Sequence, residues 1–211
     1  MTPGSHLLVP IKPLHAAKSR LLGAADGGVG DARAHARLVA AVALDTVRAA
    51  RRAAEAQVVV VSSDPQLTRA FTAEGVPVLP DVPAAGLNSA LRHAETELCR
   101  RERVHRIGAL QADLPALRPD ELTRALRAAG DERAFCPDRH GTGTTLLLAA
   151  AGNPLHPSFG PGSARAHALS GAQELDGPWP SLRCDVDTAA DLRAAQRIGV
   201  GPRTACLTAD G

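Results

Sequence analysis

The 211-residue chain has no tyrosine, one tryptophan and three phenylalanines, so it lacks the aromatic platforms on which single-stranded nucleic acids stack. A surplus of one charge is also missing: 24 lysines and arginines stand against 22 aspartates and glutamates, a net charge of +2. That balance creates no general field for nucleic acid or an anionic membrane, so any anion must be bound locally. The longest apolar runs, at residues 38–44 and 145–151, fall far short of the roughly 18 residues a membrane-spanning helix needs. Residues 7–11 are broken by Pro10 and follow no basic stretch, unlike a secretory signal, and a cytoplasmic location is expected. Cys99, Cys136, Cys184 and Cys206 form no C-x-x-C pair, which argues against a zinc ribbon or disulfide framework and predicts reduced, mostly buried thiols. There is no G-x-x-x-x-G-K-[ST] phosphate loop, no G-x-S-x-G elbow and no metal-type histidine spacing, so ATPase-type sites and covalent hydrolases have no support.

What is present suits an ordinary buried core: 45% of residues are hydrophobic and 22% charged. Short β-branched or leucine-rich runs alternate with alanine-rich segments of helical length, the pattern of an α/β protein. A three-layer α/β/α arrangement is expected, with helices on both faces of a mostly parallel sheet. Strands are predicted at residues 6–11, 57–62, 76–79, 106–111, near Ala134, 144–149 and 182–184. Helices are predicted at residues 31–54, 65–74, 87–101, 120–129, 163–169 and 188–197. Asp31 and Asp64, the latter followed by Pro65 at the first helical position, are expected N-caps. With no repeat or linker, residues 1–211 read as a single domain.

Four groups of residues carry candidate chemistry. Lys12, Lys18 and Arg20 follow the first strand and supply three cations in nine residues, enough to neutralise a polyphosphate, although such runs are also ordinary solvated loops. Asp113 sits at the carboxyl end of a predicted strand, the edge where open α/β sheets bind ligands. Asp185 and Asp187 in C-D-V-D-T follow another predicted strand, and with Asp113 they form a carboxylate set of the kind that holds magnesium against a nucleoside triphosphate. Asp187 before a helix is equally an N-cap candidate, which makes Asp185 the better ligand, while strand-like alternation puts both on one face so that either could coordinate. Thr145 in the 141–145 stretch and Gly160 and Ser163 in the 159–163 stretch offer hydroxyls and approachable amides for a small anion, Ser163 opening a helix. Either loop could equally be only a turn. His167, one helical turn on from Ser163, is an anion ligand or a structural histidine.

Six segments then occur in a recognisable order: V-P-I-K-P-L-H-A-A-K-S-R-L from Val9, G-L-N-S-A-L from Gly86, L-Q-A-D-L-P-A-L from Leu110, D-R-H-G-T-G-T-T from Asp138, F-G-P-G-S-A-R-A-H from Phe159 and C-D-V-D-T-A-A-D-L from Cys184. In that order, and over nearly the whole chain, they resemble the 2-phospholactate/phosphoenolpyruvate guanylyltransferases of coenzyme F-420 biosynthesis. The resemblance implies a nucleotidyltransferase fold similar to the molybdenum-cofactor guanylyltransferases. It also implies transfer of GMP from GTP to the phosphate of a three-carbon acid, with release of pyrophosphate. Phosphoenolpyruvate is the expected acceptor, because the alanine and arginine richness looks like a GC-rich bacterial genome. The product would be enolpyruvyl-diphospho-5'-guanosine, passed to a downstream transferase. By the same resemblance Thr145, Gly160 and Ser163 bind the acceptor and Asp113 is a magnesium ligand; the cationic segment with Pro10, Lys12, Lys18 and Arg20 is expected at the nucleotide, and Asn88, by its motif position, contacts base or ribose or equally caps the helix beginning near Leu87. Where relatives wrap the triphosphate in a glycine-rich first loop, this chain has Pro10 and two lysines. Acceptors such as 2-phospho-L-lactate or 3-phosphoglycerate, a sugar phosphate or pterin cofactor, and a GTP-sensing module without catalysis are the alternative readings.

Overall fold

The computed structural model describes residues 4–14, 19–82 and 85–208. The chain begins with β1 (Ser5–Pro10), a 3₁₀ turn (Ser19–Leu21) and α1 (Ala32–Ala50), continuing through β2 (Ala56–Val61), α2 (Pro65–Ala73) and β3 (Val78–Leu79). Next come α3 (Leu87–Arg101), β4 (Arg106–Leu110), α4 (Pro119–Ala129), β5 (Ala134–Pro137) and β6 (Thr144–Leu148). The last elements are α5 (Ser163–Leu169), β7 (Gln173–Glu174), the helical turn α6 (Pro180–Arg183), α7 (Ala189–Ile198) and α8 (Pro202–Thr208). No described helix is long and apolar enough to cross a membrane.

The strands form one sheet in the order β3-β2-β1-β4-β6-β5-β7. β6 alone runs against its neighbours, pairing antiparallel with β4 and β5, so the mostly parallel expectation holds. The chain winds outward from β1 to β3, then crosses back to place β4 on the other side of β1. That reversal opens a crevice at the carboxyl ends of β1 and β4.

Period-two alternation divides the core between the two faces. Leu7, Val9, Val58 and Val60 point to the layer containing α1, α2 and α4, while Leu8, Val59 and Val61 point to the layer containing α3 and part of α5. A third, smaller cluster joins Leu21, Leu38 and Val42 to Val186, Leu192 and Ala195, fastening α7 to the open end of the crevice. Gly108 is required in β4, because an added Cβ would lie 2.7 Å from Leu148 and 2.8 Å from Leu7.

Local signals held where side chains satisfy the backbone. Asp31 and Asp64 cap α1 and α2 as expected, each accepting from two first-turn amides. Three expectations fail. Residues 182–184 are not a strand: Pro180 opens α6 and the Ser181 N–H and hydroxyl both donate to Glu121, at 2.8 and 2.7 Å. The short edge strand β7 pairs with β5 instead. α8 has no counterpart in the predicted elements, since its cap comes from afar: buried Asp45 of α1 accepts from the Arg203 and Thr204 amides. The four thiols are all free, but only Cys136 and Cys184 are buried, with Cys99 and Cys206 exposed on helices.

Candidate active site

The crevice between β1 and β4 holds a cleft of about 420 Å³, within the usual range for small-molecule sites. Pro10, Ile11 and Lys12 enter it from the end of β1, Arg20 from the 3₁₀ turn, Gln111, Ala112 and Asp113 from the end of β4, and Asp187 from the segment before α7. Lys12, Arg20, Asp113 and Asp187, remote in sequence, therefore face one space. Lys18 lies outside the described residues.

Asp113 is fixed by its backbone surroundings. The next amide, Leu114 N–H, donates to Thr46 Oγ1 at 3.0 Å, and Val186 N–H donates to the Asp113 carbonyl at 2.9 Å. The second bond brings the tail of the chain to β4 and sets Asp187 at the cleft. Asp187 is not the helix cap. Thr188 takes that role, in a capping box with Asp191, and this leaves Asp187 exposed at the cleft. The strand premise behind Asp185 and Asp187 is corrected: residues 184–186 form no strand, Val186 is buried, and Asp187 rather than Asp185 is among the residues lining the cleft. Two carboxylates facing one space suit a hard divalent cation that takes its remaining oxygens from phosphate and water. Among the described residues no group of three or more His, Cys, Asp or Glu forms a metal site unaided.

Thr145, Gly160 and Ser163 do not line this cleft but adjoin it. Gln111 N–H donates to the Thr145 carbonyl at 2.8 Å, and the cleft residue Leu87 is followed by Asn88, whose amide bonds Phe159 in both directions. Asn88 is thus a backbone clamp on the 159–163 loop. Ser163 and Thr145 are buried, and Gly160 has φ +139°, a left-handed region that favours glycine. The α5 N-terminus is less open to an anion than expected: Ser163 N–H donates to Gly160 O and Ala164 N–H to Thr142 O. The second bond joins the 141–145 and 159–163 loops.

His167 takes the structural role. It is fully buried, with Nδ1 2.9 Å from Thr144 Oγ1 and Nε2 accepting from Ser158 N–H at 3.1 Å. Burial, helped by the Arg133 charge, pushes its pKa down to about 4. Sequence reasoning missed the apolar wall of Leu21, Val39, Val42 and Leu87, because each also reads as helix or core packing. It also missed Asp81, beyond β3 on the same sheet edge. Ser63 Oγ donates to the Asp81 carbonyl and accepts from its N–H, and one Asp81 carboxylate oxygen is buried with no hydrogen-bond partner among the described residues.

Residues 29–186 match the MobA-like NTP transferase domain family. A phosphoenolpyruvate guanylyltransferase of Salinispora arenicola (strain CNS-205) is 49% identical over 211 residues, covering 98% of this chain and 94% of its own. The chain belongs to the phosphoenolpyruvate guanylyltransferase family. That family relationship extends over the β1 segment carrying Lys12 and Arg20 as well as over Asp113, Thr145, Gly160 and Ser163. Two solved structures share the fold of this guanylyltransferase-family chain. One, described as a nucleotide-diphospho-sugar transferase of Desulfovibrio desulfuricans G20, is 18% identical with a TM-score of 0.67 and covers 99% of this chain and 94% of its own. The other, a Mycobacterium tuberculosis H37Rv protein solved in complex with manganese, is 22% identical with a TM-score of 0.55 and covers 93% of this chain and 100% of its own.

Proposed function

We propose that the protein, acting as one nucleotidyltransferase domain, transfers GMP from GTP to phosphoenolpyruvate. The products are enolpyruvyl-diphospho-5'-guanosine and pyrophosphate. The observation that carries this reading is the convergence of Lys12, Arg20, Asp113 and Asp187 on one cleft at the sheet reversal, in a chain of the guanylyltransferase family.

The acceptor phosphate is already ionised at neutral pH, so no side chain needs to remove a proton. One of its oxygens bonds to the α-phosphorus of GTP while the bond from that phosphorus to the bridging oxygen breaks, and pyrophosphate leaves with the electron pair. The work left to the protein is alignment of the two phosphates and neutralisation of charge. Lys12 and Arg20 face the triphosphate as a point charge and a guanidinium fork, and Lys18 of the same segment would add a third cation. Asp113 and Asp187 would hold magnesium, which when bound supplies charge neutralisation at the phosphates. Thr145, Gly160 and Ser163 receive the acceptor through hydroxyls and backbone. A cytoplasmic location fits these two substrates, and the activated product fits consumption by a downstream transferase.

The test is pyrophosphate release by the purified protein with magnesium, each nucleoside triphosphate being paired with phosphoenolpyruvate, 2-phospho-L-lactate and 3-phosphoglycerate, and the products weighed by mass spectrometry. Release that needs GTP and phosphoenolpyruvate together is the expected result. Equal rates with the other acceptors would widen the substrate class, and saturable GTP binding without release from any pair would reduce the protein to a nucleotide-binding module.

A further inference from the structure

Residues 155–160 have no regular secondary structure, yet side chains from several elements hold their backbone. Glu95 of α3 accepts from Leu155 N–H at 2.8 Å, and Arg133, just before β5, donates to His156 O at 3.1 Å. His167 of α5 accepts from Ser158 N–H, and Asn88 of α3 grips both the N–H and the carbonyl of Phe159. The loop needs this restraint. His156 has φ +48° immediately before Pro157, a combination disfavoured on both counts and retained only where surroundings over-determine it.

Among these restraining side chains His167 differs in one respect: its other nitrogen bonds Thr144, the neighbour of Thr145, at the start of β6. Because Nε2 accepts from an amide, the neutral ring carries its proton on Nδ1 and donates it to Thr144 Oγ1. The Phe159 ring meets the imidazole edge-on, with centroids 5.1 Å apart, and Phe135 packs at 6.1 Å. Ring orientation is therefore fixed by two hydrogen bonds and two aromatic contacts. A rigid ring bonded at both ends sets a distance, and a flexible side chain of equal volume does not.

We propose that His167 is a positioning residue for the acceptor, its imidazole serving as the spacer that fixes Thr145 relative to the Gly160 and Ser163 loop. It touches no reacting atom. The proposal rests on the acceptor reading given above and deepens it: the small phosphorylated acid is held between the start of β6 and the 159–163 loop, whose separation a buried ring determines.

Three variants separate positioning from simple stability. In His167→Gln the side-chain oxygen reaches the place of Nε2 and accepts from Ser158. In His167→Asn the shorter amide stands near Nδ1, reaches Thr144 and leaves Ser158 unbonded, and His167→Leu loses both bonds. Steady-state kinetics of pyrophosphate release are measured for both substrates, with the thermal midpoint of each variant recorded alongside. His167→Gln and His167→Asn, each of which breaks one of the two bonds, should raise KM for phosphoenolpyruvate by about threefold or more and His167→Leu, which breaks both, by about tenfold or more, while KM for GTP should stay within about twofold throughout. An unchanged acceptor KM in all three, or parallel rises in both KM values that follow the thermal midpoint, would overturn the proposal. Should His167→Leu fail to fold, the acceptor KM of the Gln and Asn variants decides. A wild-type protein that releases no pyrophosphate from GTP and phosphoenolpyruvate overturns the acceptor reading and the inference together, an outcome distinct from an active wild type with indifferent variants.

Discussion

The two halves of the site are built by opposite means. On the nucleotide side, Lys12, Arg20 and Asp187 are exposed at the rim of an open cleft. On the acceptor side, Thr145 and Ser163 are buried, and the loop between β6 and α5 is held at its backbone by Glu95, Arg133, His167 and Asn88. The ligands proposed for the two halves account for the difference. A triphosphate spreads its charge over several ångströms and is met by long cationic side chains that adjust to it. A three-carbon acid offers few atoms, so the protein must arrive already shaped, because ordering a loop around so small a ligand would consume most of its binding energy.

That contrast can be broken in graded steps. The largest effect is expected at the shared carboxylates: Asp113→Asn should cut kcat by about a hundredfold or more with the thermal midpoint nearly unchanged, and a full rate at ordinary magnesium would remove Asp113 from the metal site. The acceptor side should reveal itself through acid sensitivity. His167 titrates at about 4 when folded and near 6.5 when unfolded. The unfolded chain therefore takes up the proton first, and stability is complete above about pH 6.5 and declines as pH falls towards 4. The loss is of order 3 kcal/mol, and urea midpoints of wild type and His167→Gln between pH 4 and 8 should converge as pH falls. Lys12→Ala should lower kcat/KM for GTP by about ten- to thirtyfold, in line with a charged hydrogen bond worth about 1.5–2 kcal/mol, while leaving KM for the acceptor alone. Ser163→Ala should do the reverse, raising acceptor KM by about three- to tenfold; a rise confined to GTP would move Ser163 across the site. The smallest effect belongs to Asp185→Asn, expected to stay within about twofold of wild type where Asp187→Asn loses activity.

Legibility in the sequence followed the range of the interaction that decided each feature. α3 and α5 lie where the alternation placed them, and the Asp31 and Asp64 caps were readable because their bonds lie within three residues. α6 and α8 were not readable: Glu121 bonds Ser181 across 60 residues, and Asp45 bonds Thr204 across 159. The same division runs through the candidate site. Asp113 could be proposed from a strand end alone, but the choice between Asp185 and Asp187 depended on the Thr188 capping box and on the Val186 bond to Asp113. For Asn88 and His167 the sequence supplied residue type and no partner, and both turned out to hold backbone or a neighbouring side chain.

The bond from Val186 to the Asp113 carbonyl also orders events in time. Every strand of the sheet lies before residue 175, so a growing chain has all its sheet residues before residues 186 and 187 are made. Until then the crevice lacks one of its two carboxylates and the α7 part of the third hydrophobic cluster. The tail is the closing clasp of the catalytic centre, and a nascent chain should gain metal-dependent nucleotide affinity only after its sheet has formed.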